Sequence, residues 1–447
     1  MAKNSHKFLC QECGATTSKW AGRCSSCGAW NSLVEQINLS KDPALASARG
    51  TKLTGTKIGL IAKNQKSVRL QTNVIDVDNV LGGGFVSGSV NLIAGQPGIG
   101  KSTLLMQLAA KLSSKYSVLY VSGEESLEQV SMRAERITPT EQKVLLAGST
   151  SSDDIAETIL SKEHQVVIVD SIQTVSCQAV SSAPGSISQI TNSTYLLTQA
   201  AKQSGTTLII VGHVTKEGSI AGPKLLEHLV DVVLNLEGDR YGGFKVLRAI
   251  KNRFGSTSEV GIFDMGEKGL IPVANPSAVL LAERQVSDGS VVMAAMEGTR
   301  PILVEVQALV NRTTFGYPKR AASGFDINRL NLLTAVLTRR TKLDLGEYDI
   351  YINIVGGIKI SEPAADLAVC MAIASAAKGF KLKDDAVVFG EVGLSGEVRH
   401  VPNVQQRLKE VKQLGFKAAI GPKSDKKIAL LSSVPTLKDA LNTYLSK

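Results

Sequence analysis

The sequence predicts an α/β protein, and two of its features support that prediction. Continuously apolar runs, among them 118–121 (VLYV) and 166–169 (VVIV), alternate with stretches of helical periodicity. Strands without a polar face are typical of a parallel sheet that helices cover on both sides. Another apolar run, at 90–94, leads through a glycine-rich turn into a helical stretch, as a βα unit of such a sheet begins. With 447 residues the chain is long enough for two or three domains with separate cores.

Between residues 71 and 270 this alternation predicts a doubly wound α/β domain. The predicted strands span 90–94, 118–122, 166–170, 207–212, 230–236, 244–251 and 259–264. The predicted helices span 103–115, 127–136, 153–161 and 187–204.

The pattern changes after residue 270, and residues 271–447 are predicted to form a separate α+β domain. The predicted strands are 291–295, 302–309 and 348–355, with a hairpin-like segment at 386–399. The predicted helices are 328–341, 363–378 and 404–414, the second of which has a proline in its first turn, where it is tolerated.

Four of the six cysteines lie within the first 27 residues. The pairs Cys10/Cys13 and Cys24/Cys27 have the spacing of two knuckles that hold one tetrahedral Zn²⁺. A disulfide pair or a redox-active CxxC is the alternative. Residues 1–35 contain few aliphatic side chains, so we expect the metal to supply the folding free energy of this module.

Residues 36–70 are predicted to form a basic linker. From Lys41 to Arg69 this stretch contains seven basic residues and a single acidic one, Asp42.

The whole chain has a net charge of +10, which is compatible with an anionic partner such as nucleic acid. No apolar run is long enough for a membrane span, and the first residues lack a signal-peptide core. These features predict a cytoplasmic protein.

The turn that follows residue 94 matches the phosphate-binding P-loop at every fixed position, with Gly95, Gly100, Lys101 and Ser102 at the required spacing. Backbone N–H groups of such a loop converge on phosphate oxygens, a lysine reaches the β- and γ-phosphates, and a hydroxyl ligates Mg²⁺. Lys101 and Ser102 are predicted to fill the last two roles. The residues predicted to bind ATP are Gly95, Gln96, Pro97, Gly98, Ile99, Gly100, Lys101, Ser102 and Thr103.

Two further strand ends carry carboxylates. Asp170 ends the run 166–170 and is predicted to hold Mg²⁺ together with Ser102. Glu124 follows the strand 118–122 and is our first choice for the group that activates water, with Glu125 as the alternative. A solvated turn carboxylate is the competing interpretation of both glutamates.

A histidine and two loops complete the predicted site. His213 closes the strand 207–212 and is a candidate sensor of the γ-phosphate, although a structural role is equally compatible with its position. The loop 216–224 follows it, and its Lys216 and Lys224 are candidates for contact with a DNA backbone. The Gly/Ser/Pro-containing loop Gln173–Ser188 is expected to be mobile enough to grip phosphates as well.

Lys251 and Arg253, in the segment KNRFG at 251–255, lie late in the predicted α/β domain. They are candidates for completing the catalytic site of a neighbouring subunit, where a cation stabilises the charge of the transition state. A pair of surface cations is the alternative.

The cysteine knuckles together with GQPGIGKST (95–103), SGEES (122–126) and KNRFG (251–255) resemble the bacterial RadA (Sms) family over essentially the whole chain. The resemblance implies a RecA-like core in a ring, a hexamer, with ATP sites between subunits. It also implies binding to single-stranded and branched DNA, a role in processing intermediates of recombinational repair, and a functional role for Lys251 and Arg253.

The C-terminal domain resembles that of Lon proteases, which use a serine nucleophile and a lysine base. Ala364 stands at the serine position, Gln405 stands at the lysine position, and Ser361 is misplaced for a substitute. Because alanine cannot attack a carbonyl and glutamine cannot act as a base, we expect no peptidase activity. The domain is then a scaffold that cements the ring or adds basic surface, for which Arg312, Lys319 and Arg320 are candidates.

The leading interpretation is a DNA-dependent ATPase that moves recombination intermediates with ATP, Mg²⁺ and Zn²⁺. Its zinc module is expected to contact a strand-exchange recombinase or a replicative helicase. An ATP-dependent Lon-like protease and a KaiC-like regulatory kinase are the alternatives. The first conflicts with Ala364 and Gln405, and the second offers no role for the zinc module.

Overall fold

The computed structural model describes residues 7–10, 15–36, 69–138, 143–213, 225–238, 243–314, 316–382, 386–424 and 428–446. The predicted zinc ligand Cys13, the DNA-contact candidates Lys216 and Lys224, and nearly all of the predicted linker lie outside these residues. The chain forms two compact units. The first comprises 1–236, 249–256 and 267–269, and the second comprises 237–248, 257–266 and 270–447.

The N-terminal module contains a small antiparallel sheet. Strand β1 (Lys7–Cys10) lies between β2 (Thr16–Thr17) and β3 (Leu33–Gln36). Its buried core consists of Cys10, Cys24 and Leu33, with Phe8 and Ala15 packed against them. Two of the three buried side chains are cysteines, so the module has almost no aliphatic core in its described residues.

The remainder of the first unit alternates strands and helices. The strands are β4 (Arg69–Leu70), β5 (Phe85–Val86), β6 (Val90–Gly95), β7 (Val118–Ser122), β8 (Leu145–Gly148), β9 (Val166–Asp170), β10 (Thr207–His213) and β11 (Val232–Gly238). The helices are α1 (Ile75–Leu81), α2 (Lys101–Leu112), α3 (Leu127–Ile137), α4 (Ser152–Leu160), α5 (Ile187–Ser204) and α6 (Leu225–Leu229).

Six of these strands form a parallel sheet in the order β8-β7-β9-β10-β6-β11. Every residue of β6, β7 and β9 is buried, which agrees with their continuous apolar sequences. One face packs against α4 and α5 through side chains such as Ile155, Ile159 and Leu197. The predicted α/β fold of this part of the chain is therefore confirmed.

Helix starts in this unit follow local sequence signals. Ser126 caps α3, and Gln129 completes a reciprocal capping box with it. Ser151 and Ser186 cap α4 and α5 by accepting N–H groups three residues ahead. The P-loop helix α2 has no such cap, because Gly100 with φ of 112° precedes it, so its first N–H groups are not used by a capping side chain.

The rest of the chain supplies further strands and helices. The strands are β12 (Lys245–Asn252), β13 (Val260–Gly266), β14 (Gly269–Pro272), β15 (Ser290–Glu297), β16 (Arg300–Arg312), β17 (Arg320–Ser323), β18 (Tyr348–Ile354), β19 (Lys381–Leu382), β20 (Ala386–Val388), β21 (Glu391–Val392), β22 (Val398–Arg399), β23 (Ala418–Gly421), β24 (Leu431–Ser433) and β25 (Leu445–Ser446). The helices are α7 (Pro276–Leu281), α8 (Ile327–Thr341), α9 (Asp366–Lys378, after a 3₁₀ turn at Pro363–Ala365), α10 (Val404–Gln413) and α11 (Leu437–Tyr444).

The second unit is built on a mixed sheet with the order β17-β18-β16-β15-β20-β23-β24. Alternate residues of β15 enter two different cores, as expected for a strand covered on both faces. Met293 packs in the core that contains α8 and α9, whereas Val292 and Ala294 pack in the core that contains Leu408 of α10. The unit is thus α+β, as predicted.

The predicted hairpin at 386–399 is wrong in its first half. Strand β20 instead joins the large sheet, parallel to β15 and to β23. The hairpin is limited to β21 and β22, which pair antiparallel. A short apolar run next to a turn does not reveal which strand it pairs with, and here the pairing is made with distant strands.

A buried ion pair joins the 3₁₀ turn region to α10. Arg407 is fully buried, and its guanidinium contacts Glu362 at 2.5 and 3.0 Å, donates to the carbonyls of Ala294 and Pro402, and lies 5.8 Å from the ring centre of Phe389. Each donor group of Arg407 therefore has a partner. Removal of Glu362 would leave the fully buried guanidinium uncompensated, and removal of Arg407 would leave the partly buried carboxylate, 21% exposed, without its cation.

We predict that Arg407→Met lowers the free energy of unfolding of the second unit by about 3–5 kcal/mol, because it leaves the Glu362 carboxylate without its charged partner. Arg312→Met is the matched control, since Arg312 and Glu347 pair at 3.0 Å with side chains 76% and 68% exposed. That exposed pair should contribute less than about 1 kcal/mol. Pulse proteolysis across a urea series measures both, and equal losses for the two variants would contradict the prediction.

Candidate active site

The P-loop connects β6 to α2 and has the backbone geometry that its glycines permit. Gly98 and Gly100 have φ of 79° and 112°, in the left-handed region, and nothing lies within 4 Å of a side chain placed at Gly98. A side chain at Gly95 would meet the carbonyl oxygen of Leu236 at 2.6 Å. The space beside Gly98 is therefore open, at the N-terminus of α2 where the backbone N–H groups of a P-loop bind phosphate.

Lys101 is held inside this loop. It is 4% exposed, and its ammonium donates to the carbonyl oxygens of Gly95 and Gln96 at 2.9 and 3.0 Å. Burial lowers the pKa of Lys101 to about 8, and the nearby carboxylates of Asp170 and Glu124 oppose that shift. The structure thus brings the P-loop lysine and the two predicted carboxylates together.

Asp170 lies at the end of β9, 7% exposed, where it was predicted to face the nucleotide. The Tyr120 hydroxyl donates to its Oδ2 at 2.5 Å. Burial and the neighbouring Asp170 carboxylate raise the pKa of Tyr120 well above its usual value, so this hydroxyl stays a donor. One carboxylate oxygen of Asp170 is therefore oriented by Tyr120. Asp170 and the Ser102 hydroxyl are the residues that would hold a magnesium ion.

The two glutamates after β7 have different partners. Ser171 donates a hydrogen bond to Oε1 of Glu124, whereas the carboxylate of Glu125 pairs with Arg133 of α3 at 2.6 Å. Glu124 thus points towards the residue next to Asp170 and lies close enough to Lys101 to influence its pKa. Of the two candidates, the contacts place Glu124 with the P-loop lysine and Asp170.

His213 ends β10, which lies directly beside β6. In the parallel register its Cα is the partner of Gly95, the first P-loop residue. Ser122 and Asp170 are partners at the same edge of the sheet. The backbone therefore places His213 next to the start of the phosphate-binding loop, as the sequence suggested.

The loop between Asp170 and α5, predicted to be mobile from its Gly/Ser/Pro composition, is joined to α5 by hydrogen bonds of a buried side chain. The Gln189 amide, 3% exposed, donates to the carbonyls of Val180 and Ser182 at 2.9 Å and accepts from the Cys177 N–H at 2.8 Å. One buried side chain thus fixes the course of residues 177–182. The segment 173–188 also contains no lysine or arginine, so it offers no cation to a phosphate backbone.

The KNRFG segment begins with the last two residues of β12 and belongs to the first unit. The Lys251 ammonium donates to the carbonyl oxygens of Glu227 and Val230 at 2.5 and 2.8 Å. Burial, with the nearby Arg253, lowers the pKa of Lys251. Arg253 lies 3.5 Å from Asp231, and its side chain is 56% exposed. Asn252 donates to the Leu81 carbonyl at 3.4 Å, so the segment is anchored between α1 and the end of α6.

Three of the four predicted zinc ligands are described, and they cluster. The Sγ atoms of Cys10, Cys24 and Cys27 all lie within 4.8 Å of one another, with those of Cys10 and Cys27 3.6 Å apart. Four thiolates at ~2.3 Å from a zinc ion lie roughly 3.8 Å apart, so the spacing fits tetrahedral Zn²⁺. Backbone hydrogen bonds from Cys27 and Ser26 lower the pKa of Cys24, which favours the thiolate. Cys13 lies outside the described residues.

The positions that correspond to a protease dyad differ in environment. Ala364 is 1% exposed and packs in the core with Val387 and Phe389, while Gln405 is exposed on α10.

Among the candidate basic-surface residues, Arg312 pairs with Glu347, Arg320 donates to Asn331 at 3.4 Å, and Lys319 is exposed. The two cysteines outside the N-terminal module, Cys177 and Cys370, are both buried.

The sequence analysis missed Tyr120, Ser171 and Asp231. Tyr120 could have been identified from the sequence, because a hydroxyl in the middle of a fully buried strand requires a hydrogen-bond partner. Ser171 directly follows the predicted magnesium ligand. Asp231 carries no local signal, since its buried carboxylate accepts from the N–H of Val90, 141 residues away in the chain.

Family comparisons agree with this architecture. A model described as a rubredoxin metal-binding domain matches residues 8–35, and one described as an AAA domain matches residues 64–219. A model described as subunit ChlI of Mg-chelatase matches residues 331–425. The chain therefore combines a zinc ribbon, a P-loop ATPase domain and a ChlI-type, Lon-like α+β domain. Within the part of the chain that the structure describes, no helix is long and apolar enough to cross a bilayer.

Curated relatives match nearly the whole chain. The chain is 49% identical over 428 residues to a protein of Bacillus subtilis (strain 168), covering 94% of this chain and 93% of the relative. It is 48% identical to a protein of Pseudomonas aeruginosa, covering 94% of each, and 45% identical to one of Halalkalibacterium halodurans, covering 100% of each. All three are named DNA repair protein RadA. Conserved identity at this level over the zinc ribbon, the ATPase domain and the Lon-like domain shows that the chain belongs to the RadA family of DNA repair proteins.

Proposed function

We propose that this protein is a DNA-dependent ATPase that binds single-stranded and branched DNA and promotes branch migration or other processing of recombination intermediates. The observation that supports it best is the convergence of Lys101, Asp170 and Glu124 at the edge of the parallel sheet where β6, β7 and β9 end. The DNA part rests on the relatives, which are named DNA repair proteins.

Each residue of the site has a distinct role in this proposal. The P-loop N–H groups and Lys101 bind the β- and γ-phosphates, and Ser102 with Asp170 holds magnesium, which neutralises phosphate charge when bound. Tyr120 orients Asp170. Ser171 orients Glu124, which positions and deprotonates the attacking water. His213, beside Gly95 in the sheet, reports the γ-phosphate to the residues that follow it.

The two glutamates provide a test of this assignment. We predict that Glu124→Gln lowers kcat for ATP hydrolysis by about 10²–10⁴-fold, because the variant keeps the hydrogen bond but loses the base. Glu125→Gln should change kcat by less than about fivefold, since it weakens only a partly exposed pair with Arg133. Phosphate release at saturating ATP measures kcat, and binding of a fluorescent ATP analogue should be retained by both variants and lost in Lys101→Ala.

The reverse ranking, with Glu125→Gln the more damaging variant, would reject Glu124 as the base. Loss of analogue binding in Glu124→Gln would show a defect in the nucleotide pocket and not in the chemical step.

The proposed DNA contacts come from the segment that follows β10. Lys216 and Lys224 belong to it, and it begins at the sheet edge that carries the P-loop. Lysines in a segment that starts beside the P-loop can bind a phosphate backbone, and their position can depend on whether a nucleotide is bound. The arrangement would couple ATP hydrolysis to movement along DNA.

We predict that Lys216→Ala/Lys224→Ala weakens binding of single-stranded DNA and reduces the slope of log K against log salt by about 1.4, or ~0.7 per lost contact. Lys115→Ala/Lys143→Ala is the control with equal charge loss, because both exposed lysines precede the strands β7 and β8 and so lie at the opposite edge of the sheet. Fluorescence anisotropy across a salt series measures the slopes, and ATP turnover with and without DNA is recorded alongside.

An unchanged slope would remove Lys216 and Lys224 from the DNA interface. Turnover of the unaltered protein that does not respond to DNA would contradict the proposed function itself.

Assembly and partners form a separate part of the proposal. A homo-oligomeric ring, a hexamer, would place the Lys251–Gly255 segment of one subunit against the nucleotide of the next. The zinc ribbon presents two exposed tryptophans, Trp20 and Trp30, 61% and 72% exposed. Exposed aromatic side chains of this size are enriched at protein interfaces, which supports contact with a strand-exchange recombinase or a replicative helicase.

We predict that chelation of zinc, or Cys24→Ala, unfolds the ribbon and leaves ATP turnover intact. Both tryptophans of the chain lie in this module, so their emission reports on it alone. Elemental analysis should find one zinc ion per chain before chelation, with a change in tryptophan emission as the metal leaves. Cys177→Ala, a buried cysteine of the ATPase core, is the control that should keep its zinc. Unaltered emission after zinc loss would contradict a metal-dependent fold.

We infer no peptidase activity. A nucleophile is missing because Ala364 is a buried apolar contact, and a base is missing because Gln405 is neutral. The buried pair of Arg407 and Glu362 leaves Glu362 fully engaged. The domain is better explained as a scaffold.

A further inference from the structure

The turn that carries Glu124 is joined to the end of β9 by hydrogen bonds with consecutive residues. The Gly123 N–H donates to the carbonyl oxygen of Asp170 at 2.9 Å, and the Ser171 hydroxyl donates to Oε1 of Glu124. Asp170 and Ser171 are both buried. The candidate base and the candidate magnesium ligand are therefore held together by direct contacts between two neighbouring strand ends.

Both ends of this turn are fixed. Ser122, the last residue of β7, is paired in the sheet with Asp170 on one side and with Gly148 of β8 on the other. Its hydroxyl donates to the carbonyl oxygen of Glu125 at 2.6 Å and accepts from the Glu125 N–H at 3.2 Å. Only Gly123 and Glu124 lie between these two residues. The conformation of Gly123 therefore decides where the Glu124 carboxylate lies.

The side chain of Thr174 packs directly against Gly123. A methyl group at Gly123 would overlap the Thr174 hydroxyl and lie 3.3 Å from its Cβ. This hydroxyl is engaged, since it donates to the carbonyl oxygen of Ser171 at 2.9 Å, and a β-branched side chain has few rotamers. The backbone of Gly123 is outside the left-handed region. The close approach of Thr174, and not a special φ, thus requires a glycine at this position.

Gly148 offers a direct comparison at the same edge of the sheet. It is the register partner of Ser122 and ends β8, and its backbone is also outside the left-handed region. A methyl group there would have Leu127 as its nearest neighbour, at 3.8 Å, which is an ordinary van der Waals distance. Of these two glycines at strand ends, only Gly123 is closely covered by another side chain.

We infer that Gly123 and Thr174 are positioning residues that set the place of the Glu124 carboxylate relative to Asp170. Thr174 holds the carbonyl of Ser171, the hydroxyl of Ser171 holds Glu124, and the missing side chain of Gly123 lets the two segments approach. The base and the metal ligand are thus positioned as one body. This inference rests on the proposed function, because it takes Glu124 as the residue that activates water.

The first test adds one methyl group to each glycine in the full chain. Gly123→Ala should lower kcat for ATP hydrolysis by about 30- to 100-fold, because a misplacement of catalytic groups by ~1 Å costs about 10²-fold. Gly148→Ala should keep kcat within about twofold, since its methyl group meets no close neighbour. Phosphate release at saturating ATP without DNA measures kcat. Both variants should bind a fluorescent ATP analogue normally, because neither change lies in the P-loop, and thermal unfolding confirms that both are folded.

The second test removes the neighbour that the new methyl group meets. Thr174→Ala should lower kcat by about fivefold through loss of one hydrogen bond to Ser171, and Thr174→Ser, which keeps the hydroxyl, should stay within about twofold of the unaltered chain. The double variant Gly123→Ala/Thr174→Ala should recover to the turnover of Thr174→Ala alone, because the overlap is gone.

The third test asks whether the loss acts through Glu124. In a Glu124→Gln background, Gly123→Ala should lower kcat by less than about twofold, because the carboxylate that it displaces is already absent. A general weakening of the fold would instead lower kcat equally in both backgrounds.

Four outcomes would overturn the positioning role. They are a kcat of Gly123→Ala equal to that of Gly148→Ala, a double variant as slow as Gly123→Ala, an equal loss with and without Glu124→Gln, and equal turnover in Thr174→Ala and Thr174→Ser. The last comparison carries the test if Gly123→Ala fails to fold.

Failure of the proposed function has a different signature. It fails if the unaltered protein does not hydrolyse ATP, and its choice of base fails if Glu124→Gln turns over ATP at the unaltered rate. A slow Glu124→Gln beside a Gly123→Ala of normal rate leaves the proposed function in place and overturns only the positioning role.

Discussion

The chemistry of this protein depends on one constraint, which is that parallel strands end at the same edge of their sheet. Neighbouring strands lie ~4.8 Å apart, so groups at the ends of β6, β7, β9 and β10 are brought within reach of one another. The register makes this explicit, since His213 is paired with Gly95 and Asp170 with Ser122. The P-loop alone would bind phosphate. The neighbouring strand ends add Asp170 and Glu124, the carboxylates to which we assign metal binding and water activation.

The same constraint is the structural argument for the ring that we propose. Every strand that brings a residue to the nucleotide edge starts at the opposite edge, and a cation that packs there is a full strand length from its own P-loop. The Lys251–Gly255 segment lies at that far edge, where Asp231 joins it to the start of β6. In the head-to-tail ring that we propose, the far edge of one subunit would face the nucleotide edge of the next.

Short-range signals in the sequence predicted much of this site, and long-range contacts account for what was missed. The bounds of α5 and of the strands β7 and β9 were predicted correctly, as was the P-loop, because their patterns lie within a few neighbouring residues. The family resemblance was confirmed by relatives that cover nearly the whole chain. The contacts of Asp231 join residues far apart in sequence. The contacts between the buried Gln189 amide and residues 177–182 of the loop 173–188 were likewise not predicted from its composition.

In the Lon-like unit, the positions where the resemblance to Lon proteases would place a nucleophile and a base carry Ala364 and Gln405. Ala364 now contributes a methyl group to a core that also contains Phe389, so a serine there would bury a hydroxyl within an apolar cluster. Arg407 and Glu362 form a buried pair beside it whose donors all have acceptors within the unit. Groups that are this thoroughly satisfied internally are not available to a substrate. The described contacts of these side chains therefore stabilise the unit through packing, which supports the scaffold role that we propose for it.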